Sequence, residues 1–247
     1  MKFAVYVEGQ SEMLFVADVL RKYSDYDPKR CGFLCINLTA DDYEKVPFPQ
    51  QGNDSSDDYY QIVNVNNDSL VISKLKKDIP GLVAQGYNVI IGLKDVYGEA
   101  YEQIAGGQPI VDRDKIKRLH KVQNDAIKVP AGCDCRLHFA IMEYETWMLA
   151  LIEKFVLEKE SNMDAIGQHL GIDVTGDPET FIYHPYPLVQ KIFESCGEKY
   201  HKHGKETLSF LSTLSRDDYE TLRTSDRCAS FAKFIESLLG GKCPILP

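Results

Sequence analysis

The sequence contains no apolar run near the ~20 residues needed to span a bilayer. Nor does it open with the basic, then apolar, then small-residue pattern of a secretory signal; residue 3 already begins an apolar strand-like run, so a cytoplasmic protein is expected. No internal repeat or low-complexity tract stands out, which argues against repeat arrays and disordered tails. Cysteine is sparse and odd in number, seven in all, without the spacing of a small disulfide scaffold, so reduced thiols are expected. Neither Cys31 with Cys35 nor Cys133 with Cys135 has the usual zinc-knuckle spacing, and zinc is not expected. Positive charge is in short supply: Lys and Arg total 28 against 37 Asp and Glu, a net charge of −9. That balance argues against wholesale coating by nucleic acid, whose affinity comes from cations displacing counterions, but it leaves room for a local basic track.

What is present is the composition of an ordinary globular chain, 44% hydrophobic and 26% charged over 247 residues, enough to bury a substantial core. Its first residues, MKFAVYVEGQSE, organise the rest. Residues 3–7 read as a strand, Glu8 and Gly9 interrupt it, and helical periodicity follows over residues 12–21, with Ser11 as its cap. Residues 32–38 read as a second strand. Residues 41–58, broken by Pro47, Pro49 and Gly52, read as a long solvated loop. Residues 60–65 alternate as a strand that could lie at an edge, and residues 68–85 form a helix capped by Asp68 or Ser69 and disturbed by Pro80. Residues 88–93 (NVIIGL) are nearly all apolar, as in a parallel strand covered on both faces. A glycine-containing loop over 96–109, a basic helix over 112–128, a strand over 137–142 and an apolar helix over 145–158 follow. Beyond residue 161 the chain shows helical stretches near 188–200, 205–214 and 227–239, separated by Pro and Gly. The expected fold is therefore α/β, a mainly parallel sheet flanked by helices over residues 1–160, with a helical C-terminal extension over 161–247 packed on it.

Parallel strands with right-handed crossovers deliver their C-terminal ends to one edge, where open α/β folds bind ligands. Glu8, Asp95, Glu143 and Glu145 follow three such strands and are candidates to converge. Carboxylates gathered without matching cations take up protons or recruit a metal, and Mg²⁺ or Mn²⁺ held this way serves phosphodiester chemistry. Glu143 and Glu145 are two apart and would face opposite sides of a continuing strand, so Glu143 is preferred. Glu12, one turn beyond Glu8, reads as a first-turn helix acid. Arg113, Lys115, Lys117, Arg118, His120 and Lys121 could track a nucleic-acid backbone, although the solvated face of a helix is the commoner cause of such a run. Tyr200, His201, Lys202, His203 and Lys205 form a second basic group that could bind phosphate near the acids, or simply end a helix. Trp147 and Met148 read as core, and His184 carries no assignable role.

VEGQSE after the first strand, KDVYG after residues 88–93 and MEYETWML after residues 137–142 resemble the TOPRIM domain of topoisomerases, primases and OLD-type nucleases. Together with YHKHGKETLSF and CASFAKF near the end, they are similar to a family of small, stand-alone, TOPRIM-related bacterial proteins of uncharacterised function. The resemblance implies a TOPRIM-like, Rossmann-like sheet, with Glu8 matching the catalytic glutamate and Asp95 the first acid of an Asp-x-Asp metal motif. Tyr97 stands where the second acid is expected and Met142 where the narrower family has a histidine; Glu143 or Glu145 would supply the missing carboxylate. The activity implied is Mg²⁺- or Mn²⁺-dependent cleavage or transfer of a phosphodiester in nucleic acid, in a mobile-element or anti-phage setting. The alternative is a degenerate module that binds nucleic acid, a nucleotide or a partner ATPase without chemistry.

Overall fold

The computed structural model describes residues 1–39, 43–67, 70–202 and 204–240. Its framework is a six-stranded sheet of β1 (Lys2–Val7), β2 (Cys31–Leu38), β3 (Tyr43–Gln51), β4 (Asp58–Asn64), β5 (Val89–Asp95) and β6 (Asp134–Ala140), in the order β3-β2-β4-β1-β5-β6. Every neighbouring pair is parallel except β2 with β3. The fold is thus α/β with a mostly parallel sheet flanked by helices, as expected.

The strands explain the layering. Along β1, Phe3, Val5 and Val7 face one layer while Ala4 and Tyr6 face the other, and all five are buried, because a parallel sheet with helical crossovers is covered on both sides. One layer holds α2 (Leu70–Ala84), α3 (Glu99–Ala105) and α4 (Arg113–Asp125). Gly92 admits that layer closely: a Cβ there would stand 2.7 Å from Leu75 Cδ1 and 3.0 Å from Leu137 Cδ1. The opposite layer holds α1 (Gln10–Tyr23) and α5 (Glu145–Glu158), onto which pack α6 (Met163–Leu170), α7 (Pro185–Ser195), α8 (Gly204–Ser212), α9 (Arg216–Thr224) and α10 (Ala229–Leu238). Phe15 is the hub of this layer, with ring centroids of Tyr144, Trp147, Tyr219, Phe231 and Phe234 between 5.3 and 6.4 Å away. Trp147 and Met148 are fully buried there, and the Trp147 indole N–H donates to Ser230 Oγ at 2.9 Å. Buried Lys22 completes the tie, reaching Asp18 at 2.6 Å and the Leu211 carbonyl at 2.8 Å, while the Tyr219 hydroxyl donates to the same Asp18 carboxylate. Among the described residues no strand follows β6.

Several expectations are corrected. Residues 43–51 are a strand, not a loop: β3 lies at the sheet edge, largely exposed, where Pro47 and Pro49 cost fewer ladder hydrogen bonds than in a central strand. β4, read as a possible edge strand, lies inside the sheet between β2 and β1. Residues 99–105, within the expected glycine-rich loop, form α3, ended by Gly106 in a left-handed conformation. Ser11 does not cap α1; Gly9 holds the cap position and the Ser11 hydroxyl instead meets Thr207 Oγ1 at 3.0 Å. α6 and α9 were not anticipated. The proposed caps Asp68 and Ser69 lie outside the described residues, as does His203. No helix among the described residues is long and apolar enough to cross a membrane.

Removing the Phe15 ring is expected to open a cavity at the meeting point of α1, α5 and α10. Phe15→Ala should destabilise the protein by about 3–5 kcal/mol in urea unfolding, whereas a loss under about 1 kcal/mol would show that the C-terminal helices do not depend on this contact.

Candidate metal centre

At the C-terminal edge of the sheet a cleft of about 280 Å³ is lined by Glu8, Glu12, Asp95, Glu143, Glu145 and Lys202. Each acid arrives by a simple local route. Glu8 follows β1 directly, and Glu12 sits in the first turn of α1, suited to the positive end of the helix dipole. The Glu12 carboxylate folds back over Gly9, where a Cβ would stand 2.9 Å from its Oε2. Asp95 is the last residue of β5, and its Oδ1 accepts the Tyr144 N–H at 2.9 Å. β6 has already ended at Ala140, and the chain turns through Met142, whose φ of 65° is left-handed. That turn removes the strand alternation that would separate Glu143 from Glu145. Both carboxylates therefore reach the cleft, Glu145 as the first residue of α5.

Asp95, Glu143 and Glu145 each offer an oxygen within 4.8 Å of the others and could hold a metal ion. Glu8 lines the same cleft, 5% exposed, outside that group of three, and pairs with Lys94 Nζ at 3.7 Å. Tyr97 also lines the cleft, and its ring packs against Tyr183 and His184 with centroids at 5.6 and 4.6 Å.

Lys202 answers the question left open for the second basic group. Its ammonium lies 3.1 Å from Glu143 Oε1 and 3.0 Å from Glu145 Oε2, so it belongs to the acidic cleft rather than to a surface track. The chain presents it from a left-handed residue, φ 58°, with the ammonium 4.9 Å from the Tyr186 ring centre. The remaining oxygens are also met: Tyr200 OH donates to Glu145 Oε1 at 2.9 Å and the Tyr186 N–H to Glu143 Oε2 at 3.2 Å. Lys205 is exposed on α8, away from these contacts. On α4, Arg118 is exposed, Lys117 pairs with Asp114, Lys121 with Asp125, and Arg113 with Asp177 across to the C-terminal part; none of the four lines the cleft. Asn66 and Asn67, on the opposite lip after β4, and Gln10 at the start of α1 line the cleft and were not anticipated. The signal available for the asparagines was their place directly after a parallel strand. The two cysteine pairs cannot share an ion: β2 and β6 are four strands apart, about 19 Å at the ordinary strand spacing.

The electrostatics follow from burial and crowding. Burial holds the Asp95 carboxyl well above the usual carboxylate range, and the charges of Glu8, Glu12 and Glu145 add to this while Lys202 opposes it. Burial likewise raises Glu145, with Lys202 pulling it back. Burial alone would lower Lys202, but the charges of Glu145, Glu143 and Asp95 hold it above the usual lysine range. A cleft that raises proton affinity at Asp95 and Glu145 and grips an ammonium between Glu143 and Glu145 is one that attracts cations, and the donor set fits a hard divalent ion.

These features define an α/β protein of the open, mostly parallel class with an acidic, cation-holding cleft where three strands end. The chain belongs to the family described as Domain of unknown function (DUF4276), which matches residues 7–239. No curated protein and no solved structure matches it.

Because folding raises the proton affinity of Asp95, the native state binds more protons than the unfolded chain above the ordinary carboxylate range, and ionising Asp95 subtracts stability as pH rises. Asp95→Asn is therefore expected to raise the thermal midpoint in EDTA at pH 8. The gain should shrink as pH falls towards about 4, where an ordinary carboxylate is half protonated. Scanning fluorimetry across this range checks it, and a lower midpoint for the variant at pH 8 would contradict it.

Proposed function

We propose that this protein cleaves or transfers phosphodiesters in nucleic acid with the aid of Mg²⁺ or Mn²⁺ held by Asp95, Glu143 and Glu145. The observation that carries this reading is the ammonium of Lys202 held at 3.0 and 3.1 Å between two carboxylates, beside a third that is close enough to join them. A divalent ion bound there would stabilise developing charge on a phosphoryl oxygen and lower the pKa of a bound water. The protein's own groups have distinct tasks. Asp95, fixed by the Tyr144 N–H, and Glu143, fixed by the Tyr186 N–H, orient their carboxylates towards the cleft. Glu8, on the far wall beside Lys94, is the candidate to accept a proton from the attacking group. The three-strand convergence and the TOPRIM resemblance of the VEGQSE, KDVYG and MEYETWML segments support the same chemistry.

A second reading, a module that binds nucleic acid, a nucleotide or a partner ATPase without chemistry, is favoured by two features of the same cleft. Tyr97 occupies the place of a second acid, and Lys202 already neutralises part of the cluster.

Plasmid, single-stranded DNA and RNA incubated with Mn²⁺ should be cleaved by the wild type, with Glu8→Gln slower by about 10²-fold or more, the usual contribution of a positioned proton acceptor. Calorimetric titration should show saturable Mn²⁺ binding that Asp95→Asn removes. Equal cleavage by wild type and Glu8→Gln would refute the role of Glu8, and no saturable Mn²⁺ binding would leave the second reading.

A further inference from the structure

A second cavity, of about 260 Å³, opens beside β6 on the other side of the turn that carries Glu143. Ile141 lines it, and the Ile141 carbonyl accepts the Glu143 N–H at 3.1 Å, so the cavity and the acidic cleft share one short stretch of chain. Its character is the opposite of the cleft's. The lining is mainly apolar, with Ile116, Phe139 and Ile141, and its rim carries Arg113, Lys117 and Lys233. In a chain with a net charge of −9, three cations around one apolar hollow make a local exception.

The polar atoms inside narrow the ligand further. Glu179, 2% exposed, is committed: its carboxylate takes the Ser230 N–H at 3.2 Å and the Ser230 hydroxyl, and so closes the start of α10. His120 is committed as well, its Nε2 lying 2.6 Å from the Leu137 carbonyl oxygen. His138 turns away, its ring packed on Phe234 with centroids 5.7 Å apart and its Nε2 buried out of reach of the cavity. Burial lowers its pKa to about 4, so at neutral pH the ring adds no positive charge beside the cavity. On the rim, Arg113 is anchored by Asp177 at 3.0 Å and Lys117 lies 3.5 Å from Asp114, whereas Lys233 has no ion-pair partner among the described residues.

The ligand class that answers these features has a flat apolar body and an anionic group attached. We propose that this cavity seats one nucleotide, its base against Phe139 and Ile116 and its phosphate against Lys233 and Arg113. Base faces stack on apolar and aromatic walls regardless of sequence. The volume lies just below the ~300–1,000 Å³ of ordinary ligand cavities, which suits a single nucleotide better than a longer segment. This rests on the preceding reading in one respect only, that the nucleotide belongs to the polymer whose backbone reaches the acidic cleft.

The test uses free 5′-mononucleotides (AMP, GMP, CMP and UMP) titrated into the full chain in EDTA, so that divalent ions play no part. Inorganic phosphate and the four nucleosides are the controls. At least one mononucleotide should bind saturably, with phosphate or nucleoside alone weaker by about tenfold or more, a difference of about 1.4 kcal/mol. Ala229→Trp, at an exposed lining position, should fill the cavity, and Lys233→Glu, also exposed, should repel the phosphate. Each should weaken binding by about tenfold or more. Asp95→Asn should bind as the wild type does. No saturable binding of any mononucleotide, equal binding by both cavity variants, or loss of binding in Asp95→Asn would overturn the assignment. Nucleotide binding without Mn²⁺-dependent cleavage would overturn the phosphodiester reading and leave this one standing.

Discussion

Like charges held at close range repel, and five carboxylates meet at one edge of this sheet: Glu8, Glu12, Asp95, Glu143 and Glu145. The surrounding structure offsets that repulsion piece by piece. Lys202 bridges two of the acids and Lys94 pairs with a third, while the N–H groups of Tyr144 and Tyr186 and the hydroxyl of Tyr200 each take a carboxylate oxygen. Hydrogen bonds to an ionised carboxylate favour the charged form, so at Glu145 the Lys202 ammonium and the Tyr200 hydroxyl work against burial. The residual strain is visible at Asp95, whose proton affinity remains raised. Natural proteins keep such arrangements at functional sites, where electrostatics unfavourable to folding serve a ligand.

The acidic edge also explains why the C-terminal helices belong with the sheet. Tyr186 opens α7, while Tyr200 and Lys202 lie between α7 and α8. These residues are positioned only because α7 to α10 join the aromatic layer around Phe15, Trp147 and Phe234. Core packing and site electrostatics are therefore linked: the same segment that buries apolar surface delivers the ammonium that neutralises the cluster. Tyr200 shows both roles at once, with its ring against Phe193 and its hydroxyl on Glu145.

Much of this was readable from the residues. The apolar runs at residues 3–7 and 88–93 carry the pattern of strands covered on both sides, and their terminal acids, Glu8 and Asp95, line one cleft as strand-end chemistry requires. The convergence of Glu143 with Glu145 was not readable, since it depends on a left-handed Met142 that local propensity disfavours. β3 was missed because proline-rich, polar residues look like a loop until a neighbouring strand supplies an edge to pair with. The sequence puts Lys202 in a basic group that could bind phosphate near the acids or simply end a helix; its direct pairing with Glu143 and Glu145 is not legible there, because only tertiary packing brings them to it. The apolar hollow had no sequence signature, being assembled from α4, β6, α10 and the turn at Pro178–Thr180.

The central claim is that the carboxylates at this edge form a site for a divalent cation. A crystal soaked in Mn²⁺ tests it most directly, through the anomalous signal of the ion. The account predicts a peak coordinated by Asp95, Glu143 and Glu145, with the Lys202 ammonium displaced from at least one of its two glutamates. A fully occupied peak elsewhere on the protein, or no peak at saturating Mn²⁺ with Lys202 still seated between Glu143 and Glu145, would contradict it.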